Sequence, residues 1–415
     1  MTRRWKIFAC LSLMYILAYF FRVAMAVVAK DLALELQLDA PRLGTLSSLF
    51  FYVYAVAQIP LGPLIDRLGG RRIIIVSGLL TVAGTFLFAL APSYPAVLAS
   101  RLLLGIGTAS VLMASLKIYG NWFSPHEFAT ISGFMVAIGN LGNLSATAPL
   151  AQAVTRFGWR RPFLIVGLIQ TVAVVLVHLL VRDVPPSGEE PEHEPLYSAP
   201  PPTHGIIEGW RLVFSTPSFW LLALLSFFWY GSYMVLQGLW GEPYLMDVLG
   251  LTRSGAGTIL LFTSLGFIAG CLAVGRVSDR LLKSRKWTLL WGQAALLLLM
   301  ALLLGPAERL AGPFLAMAFF AIGVAVSSGV TIYPMIREMF PAGISATAMT
   351  ALNFFVVSGA AAVQQLMGIA IGRFPRTSGS YPPDAYHQAF LIPVGGLACA
   401  VLLFFFVRDT RPHGQ

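Results

Sequence analysis

The stretch "GPLIDRLGGRR", Gly62 to Arg72, is a short polar interruption between two long apolar runs, 43–65 and 72–91. About half a chain later it returns in degraded form as "GRVSDRLLKSRK", Gly275 to Lys286, again just after a long apolar run. The Gly-x-x-x-Asp-Arg core is common to both, which marks an internal duplication. Working outward, further apolar runs lie at about 6–29, 95–118, 127–151, 162–181, 217–240, 254–275, 287–305, 312–335, 342–371 and 386–407. A helix needs about 20 apolar residues to cross a bilayer, so these twelve runs are twelve candidate spans. The composition agrees: 57% of residues are hydrophobic and 11% charged, where soluble domains average about 25% charged. Spans of this number leave no room for a soluble catalytic domain.

Residues 183–209, "DVPPSGEEPEHEPLYSAPPPTHGIIEG", are rich in proline and acid and cannot bury a core, so they read as a linker. It separates six spans from six, giving the division 1–182, 183–216 and 217–415. "GWRLVFSTPSFW" at its end has the pattern of a short interfacial helix. Lys and Arg crowd the segments after the second and eighth spans, which places those segments and both termini in the cytoplasm of a plasma (inner) membrane protein. The formal charge of +10 is therefore topological and does not point to nucleic acid. No signal-peptide cleavage site is evident behind "MTRRWK". Cys10, Cys271 and Cys399 sit singly inside apolar runs, with no metal spacing and no cofactor motif, and no nucleophile–base set suggests an enzyme. Two pseudo-symmetric six-helix bundles joined by a polar linker are the architecture of a secondary transporter, all α, with its site near the midplane.

The motif carries a family resemblance as well. "GPLIDRLGGRR" resembles the signature of the major facilitator superfamily at Gly62, Asp66, Arg67, Gly69 or Gly70, Arg71 and Arg72. "RLLLGIG" (101–107) is similar to a fourth-helix motif of that family, and the second-half copy keeps Asp279 and Arg280 but not the glycines. The resemblance implies the twelve-helix fold, and a gating role for the loop as a cytoplasmic latch. It also implies that spans one and seven face each other across a cavity.

Within the first span, "LMYILAYFFRVAMAVVAK" (13–30) holds an arginine, Arg22. Guanidinium stays charged at biological pH, at a cost of at least roughly 2.5–3.5 kcal/mol at the centre of a span. Tyr15, Tyr19 and Arg22 share one helical stripe at i, i+4 and i+7. Tyr230, Tyr233 and Gln237 on span seven form its expected counterpart, with Trp229 and Trp240 nearby. Tyr54, Gln58, Tyr333 and Asn353 complete the expected binding set, with Asn140, Asn143, Gln364 and Gln365 as further polar candidates. No Asp or Glu is expected well inside a span, Glu242 falling just beyond the seventh.

Three readings of Arg22 follow: snorkelling to the outer interface, a gate pair with Glu242, or contact with an anionic substrate. Lys30 lies about 12 Å further along the helix, a long reach for one side chain, and substrate contact ranks first. A guanidinium grips a carboxylate or phosphate by two parallel hydrogen bonds. The expectation is a transporter of a small organic anion (a carboxylate, phosphorylated metabolite or amino acid), working by alternating access as a monomer in the lipid bilayer. Arg101 and Glu242 are candidates for coupling to a proton, with a counter-anion as the other coupled partner. The alternative is multidrug or siderophore efflux. Against it, the Gly-Pro pair usual on the fifth helix of family antiporters is missing: Gly133, Gly139, Gly142 and Pro149 stand apart.

Overall fold

The computed structural model describes residues 3–123, 125–185, 206–310, 312–340, 342–377 and 379–410. The first half comprises α1 (Arg3–Glu35), α2 (Ala40–Leu68), α3 (Gly70–Leu90), α4 (Tyr94–Ala109), α5 (Val111–Trp122), α6 (Pro125–Ser145), α7 (Ala148–Phe157) and α8 (Arg160–Leu180). The second comprises α9 (Ile206–Ser215), α10 (Pro217–Met234), α11 (Gly241–Asp247), α12 (Arg253–Arg276), α13 (Arg285–Ala301), α14 (Gly312–Ser327), α15 (Ile332–Met339), α16 (Ala342–Ile371) and α17 (Pro383–Phe404). The fold is the expected all-α membrane bundle. Eleven segments among the described residues are long and apolar enough to cross a bilayer; α6 and α7 occupy the remaining expected span, 127–151.

The chain divides into two compact units, Met1–Leu36 with Leu49–Pro201, and Gln37–Ser48 with Pro202–Gln415. In the first unit α1 packs on α6 and α8, and α3 packs on α4 and α8. Lipid tails are as apolar as leucine, so spans associate through close backbone approach at small residues, not through a hydrophobic drive. Gly142 of α6 marks such an approach: a Cβ there would collide with the Ile16 carbonyl of α1 and lie 2.8 Å from the Tyr19 Cβ. In the second unit α12 crosses α14, and α10 packs on α16. Gly266 meets the backbone of Phe320 there and Gly323 that of Thr263, a reciprocal pair of small residues. The opening turns of α2 belong to this second unit, where the Ala40 N–H donates to the Tyr381 hydroxyl at 3.0 Å.

Among the spans that depart from regular helix, the seventh and tenth do so in mid-course. In span seven a π-helical stretch, Val235–Trp240, joins α10 to α11, so the span runs unbroken to Asp247. The apolar run ends at about residue 240, which hides this continuation from a hydropathy reading. Glu242 therefore stands on a helix continuous with span seven, just past its apolar run. In span ten a 3₁₀ turn, Ser328–Thr331, separates α14 from α15. The Trp229 indole occupies the space beside Gly329 and donates to the Val326 carbonyl at 2.7 Å. That tryptophan seals a helix break.

Candidate functional site

Arg22 is half-buried on α1. Its Nη2 donates to the Tyr54 hydroxyl of α2 at 2.6 Å. The guanidinium carbon lies 4.5 Å from the centre of the Tyr19 ring and 4.7 Å from that of Tyr54, within the range of cation–π attraction. The Tyr15 hydroxyl donates to that of Tyr19 at 3.2 Å. The i, i+4, i+7 stripe is thus assembled as expected, and Tyr54 joins it from the second helix. Such a box orients the guanidinium with two aromatic faces and a hydroxyl.

Arg101 of α4 belongs to the support of this box. It is 2% exposed, donates from Nη1 to the Phe21 carbonyl at 3.2 Å, and stands 4.6 Å from the centre of the Phe50 ring. Phe50 in turn stacks on Tyr54, with ring centres 6.2 Å apart and planes 27° apart. Gly105, one turn on from Arg101, lets α4 approach α2, since a Cβ there would lie 2.7 Å from the Phe50 carbonyl. Lys117, the third cation of the first-half spans, donates to the Ile65 carbonyl near the end of α2 at 3.0 Å. Removing only the Tyr54 hydroxyl, in Tyr54→Phe, is expected to weaken anion binding about tenfold, the equivalent of one hydrogen bond to a charged group. Isothermal titration of the purified variant measures it.

On span seven the expected stripe is not assembled. The π-helical register change after Met234 rotates Gln237 into the protein, where it is 0% exposed and donates from Nε2 to the Leu260 carbonyl of α12 at 2.9 Å. Tyr233 stacks on Phe267, with ring centres 5.4 Å apart. Tyr230 is half-buried, with its ring 6.2 Å from that of Tyr233. The Trp240 indole donates to the Gln364 carbonyl of α16 at 2.9 Å. Tyr333 and Asn353 do meet, hydroxyl to Oδ1, at 3.1 Å. Asn143 donates to Asn140 at 3.4 Å, and Gln58 is half-buried.

Gly62 and the side chains of Asp66, Asp279 and Arg280 lie outside what is described. Arg67 and Arg72 are exposed. Arg71 donates its backbone N–H to the Asp183 carboxylate at 2.8 Å and its Nη2 to the His178 carbonyl at 2.6 Å. Asp183 thus caps the N-terminus of α3, where the orphan N–H groups and the helix dipole favour an anion. Gly69, at φ 84°, allows the approach. Asp183 was legible only as the first linker residue. Asp183→Ala is expected to cost about 1 kcal/mol, as loss of an N-cap does, and a lowered thermal midpoint with unchanged ligand affinity is the check.

Sequence reasoning also missed the partner of Glu242. Glu242 is 1% exposed, and its Oε1 lies 3.4 Å from Nε of Arg253 at the start of α12. Eleven residues separate the two in sequence, and only the turn between α11 and α12 brings them together.

Comparison with known proteins supplies the remaining context. Residues 11–364 match the Major Facilitator Superfamily. A probable sulfoacetate transporter of Cupriavidus necator is 27% identical over 290 residues, covering 68% of this chain and 66% of its own length. A probable L-galactonate transporter of Escherichia coli is 25% identical over 282 residues, covering 65% and 60%. An MFS-type efflux pump of Mycolicibacterium smegmatis is 27% identical over 339 residues, covering 79% and 74%. The two anion-transporter matches thus span less than two thirds of those relatives' lengths. Among solved structures, a bacterial homologue of the human lysosomal transporter Spinster superposes with a TM-score of 0.79 at 19% identity, covering 98% of this chain and 97% of that one. That likeness establishes the fold.

Proposed function

This chain belongs to the Major Facilitator Superfamily, a family of membrane transporters and not of enzymes, and from that premise we propose that it moves a small organic anion by alternating access. The observation that carries the reading is the Arg22 box. A half-buried guanidinium, oriented by the Tyr54 hydroxyl and flanked by the Tyr19 and Tyr54 rings, sits within a membrane span. Arg101 and Lys117, the other cations of the first-half spans, are directed to backbone carbonyls. Arg22 is thus the cation of the three that is held by a side-chain hydroxyl between two aromatic rings. A carboxylate or phosphate matches its fork in charge and geometry, and the aromatic rings suit the apolar body of a small metabolite.

The names of the relatives support the same class. Sulfoacetate and L-galactonate, which the first two relatives are named for, both carry a carboxylate. The rocking bodies are taken as 1–182 and 217–415, with 183–216 as the cytoplasmic linker, both termini inside the plasma membrane and the monomer as the working unit. Tyr15, Tyr19, Tyr54 and Gln58 line the substrate side of the first half. Tyr230, Tyr333 and Asn353 do so in the second. Arg101 acts by holding α1 and Phe50 in place around the box. Gly62, Asp66, Arg67, Arg71, Arg72, Asp279 and Arg280 remain the gating set, Arg71 acting through Asp183.

The test is a thermal-shift screen of the detergent-purified protein against mono- and dicarboxylates, sugar phosphates, amino acids and cationic dyes. A ligand at 100 times its dissociation constant stabilises a fold by about 2.7 kcal/mol. Stabilisation by one anion class is the expected result. The Mycolicibacterium relative favours efflux as a second reading. Stabilisation by cationic dyes alone, with cells protected against them, would replace the anion reading with that one.

A further inference from the structure

We propose that the cleft between the start of α1 and the end of α8 binds one anionic phospholipid, with Arg3 and Lys6 on its headgroup and the outer face of α8 along its acyl chain. The cleft lies about 24 Å from Arg22 along α1, and the proposal does not depend on the anion reading. Arg3 and Lys6 stand at i and i+3, on one face of the first turns of α1. With Leu179 and Leu180 of the last turn of α8 they line a cleft of about 250 Å³. Its place follows from how α8 ends. The Trp122 indole donates to the Arg182 carbonyl at 2.8 Å, Asn121 to the Asp183 carbonyl at 3.0 Å, and Arg71 to the His178 carbonyl at 2.6 Å. These bonds hold the end of α8 against α5 and α3, and the cleft remains on its side toward α1.

Charge and shape together select the occupant. Arg4 pairs with Glu127 at 3.2 Å. Among the described residues neither Arg3 nor Lys6 has an ion pair, and the Arg3 guanidinium carbon lies 6.0 Å from the centre of the Trp122 ring. No acid lines the cleft among the described residues, so a phosphodiester supplies the complementary charge. Beyond it Leu168, Val172, Val175 and Leu179 are exposed and follow one stripe of α8 at i, i+4, i+7 and i+11. That stripe is about 16 Å long, about half of a hydrocarbon core of roughly 30 Å, which is the depth of one leaflet. A free phosphate would use the cations and leave the stripe; a lipid uses both. Basic pockets between spans recognise anionic headgroups in this way. The competing role for the two cations, complementing the negative dipole end of α8, is blind to the surrounding lipid.

Full-length protein in detergent is titrated with dioleoyl phosphatidylglycerol or dioleoyl phosphatidylcholine, and native mass spectrometry reads the fraction carrying lipid. The wild type is expected to take up one phosphatidylglycerol in preference to phosphatidylcholine. Arg3→Gln and Lys6→Gln should each lower that preference about fivefold, the share of one Lys or Arg at an anionic surface. Arg4→Gln removes a charge from the same turn but not from the cleft, and should keep the preference. Glycerophosphoglycerol, the headgroup without its chains, should not displace the bound lipid. A wild type with no preference overturns the proposal, whether or not the variants fold. So does an equal loss in Arg4→Gln, which would make the effect one of net surface charge. So does an undiminished preference in the double variant of Arg3→Gln and Lys6→Gln. Displacement by glycerophosphoglycerol would make the cleft a site for free phosphates and overturn the lipid assignment. None of these outcomes bears on Arg22, whose anion reading stands or falls by the thermal-shift screen.

Discussion

Arg22→Ala is expected to bind no anion in the concentration range where the wild type saturates, a loss of at least about 100-fold in affinity. A hydrogen bond to a charged group contributes about 1.5–3 kcal/mol. A guanidinium makes two at once to a carboxylate, and each 1.4 kcal/mol is about a factor of ten. The variant should nevertheless fold. Arginine in a span costs roughly 2.5–3.5 kcal/mol, which alanine relieves, and this offsets the lost contacts with Tyr54 and the two rings. Unchanged thermal stability without ligand, together with absent ligand-induced stabilisation, is therefore the expected pair of results. Arg22→Lys keeps the charge and loses the planar fork, so it should fall between the two. An Arg22→Ala protein that still binds the anion at wild-type affinity would remove the guanidinium from the site and the anion reading with it.

The parts of this arrangement differ in how far the chain spells them out. Twelve spans, the duplicated loop and the Tyr15–Tyr19–Arg22 stripe follow from length, hydropathy and helical period, which act locally and leave a local trace. Tyr54 could be named as polar and in-span, but its bond to Arg22 depends on how α2 lies against α1. The span-seven stripe misled because i, i+3, i+7 presumes 3.6 residues per turn, and the π-helical stretch at Val235–Trp240 abandons that period. The same stretch continues the helix through Glu242. No composition signal marks a π turn; only Gly238 and Gly241 near it hint at a strained backbone. Asp183 and Arg253 were hidden for a different reason. Each is an ordinary charged residue beside a loop, and its partner is fixed by tertiary approach: Asp183 to Gly69 and Arg71, Arg253 to Glu242.

The glycines of α6 show how packing that looked incidental in the sequence governs the site. Gly142→Val is expected to be the most damaging substitution in the first unit. Its Cβ would strike the Ile16 carbonyl and stand 2.9 Å from the Phe20 nitrogen, both backbone atoms of α1 that no side-chain rotation can move aside. Overpacking costs about 1–3 kcal/mol where neighbours yield, and a rigid helix backbone yields least. At roughly 2–4 °C per kcal/mol for a unit of this size, the midpoint should fall by about 10 °C, or monodisperse protein should be lost on size-exclusion chromatography. Gly139→Ala is gentler, since its Cβ would meet the Tyr15 ring, a side chain that can tilt. Gly395→Ala is the control, because nothing lies within 4 Å of its Cβ position. Between these extremes lies the functional consequence. Gly142 sits beneath Tyr19, whose ring flanks the guanidinium, so any Gly142→Val protein that survives purification should bind anion less well than Gly139→Ala. Wild-type stability and affinity in Gly142→Val would mean that α1 and α6 do not approach as closely as the site requires, and the orientation of Arg22 would then need another cause.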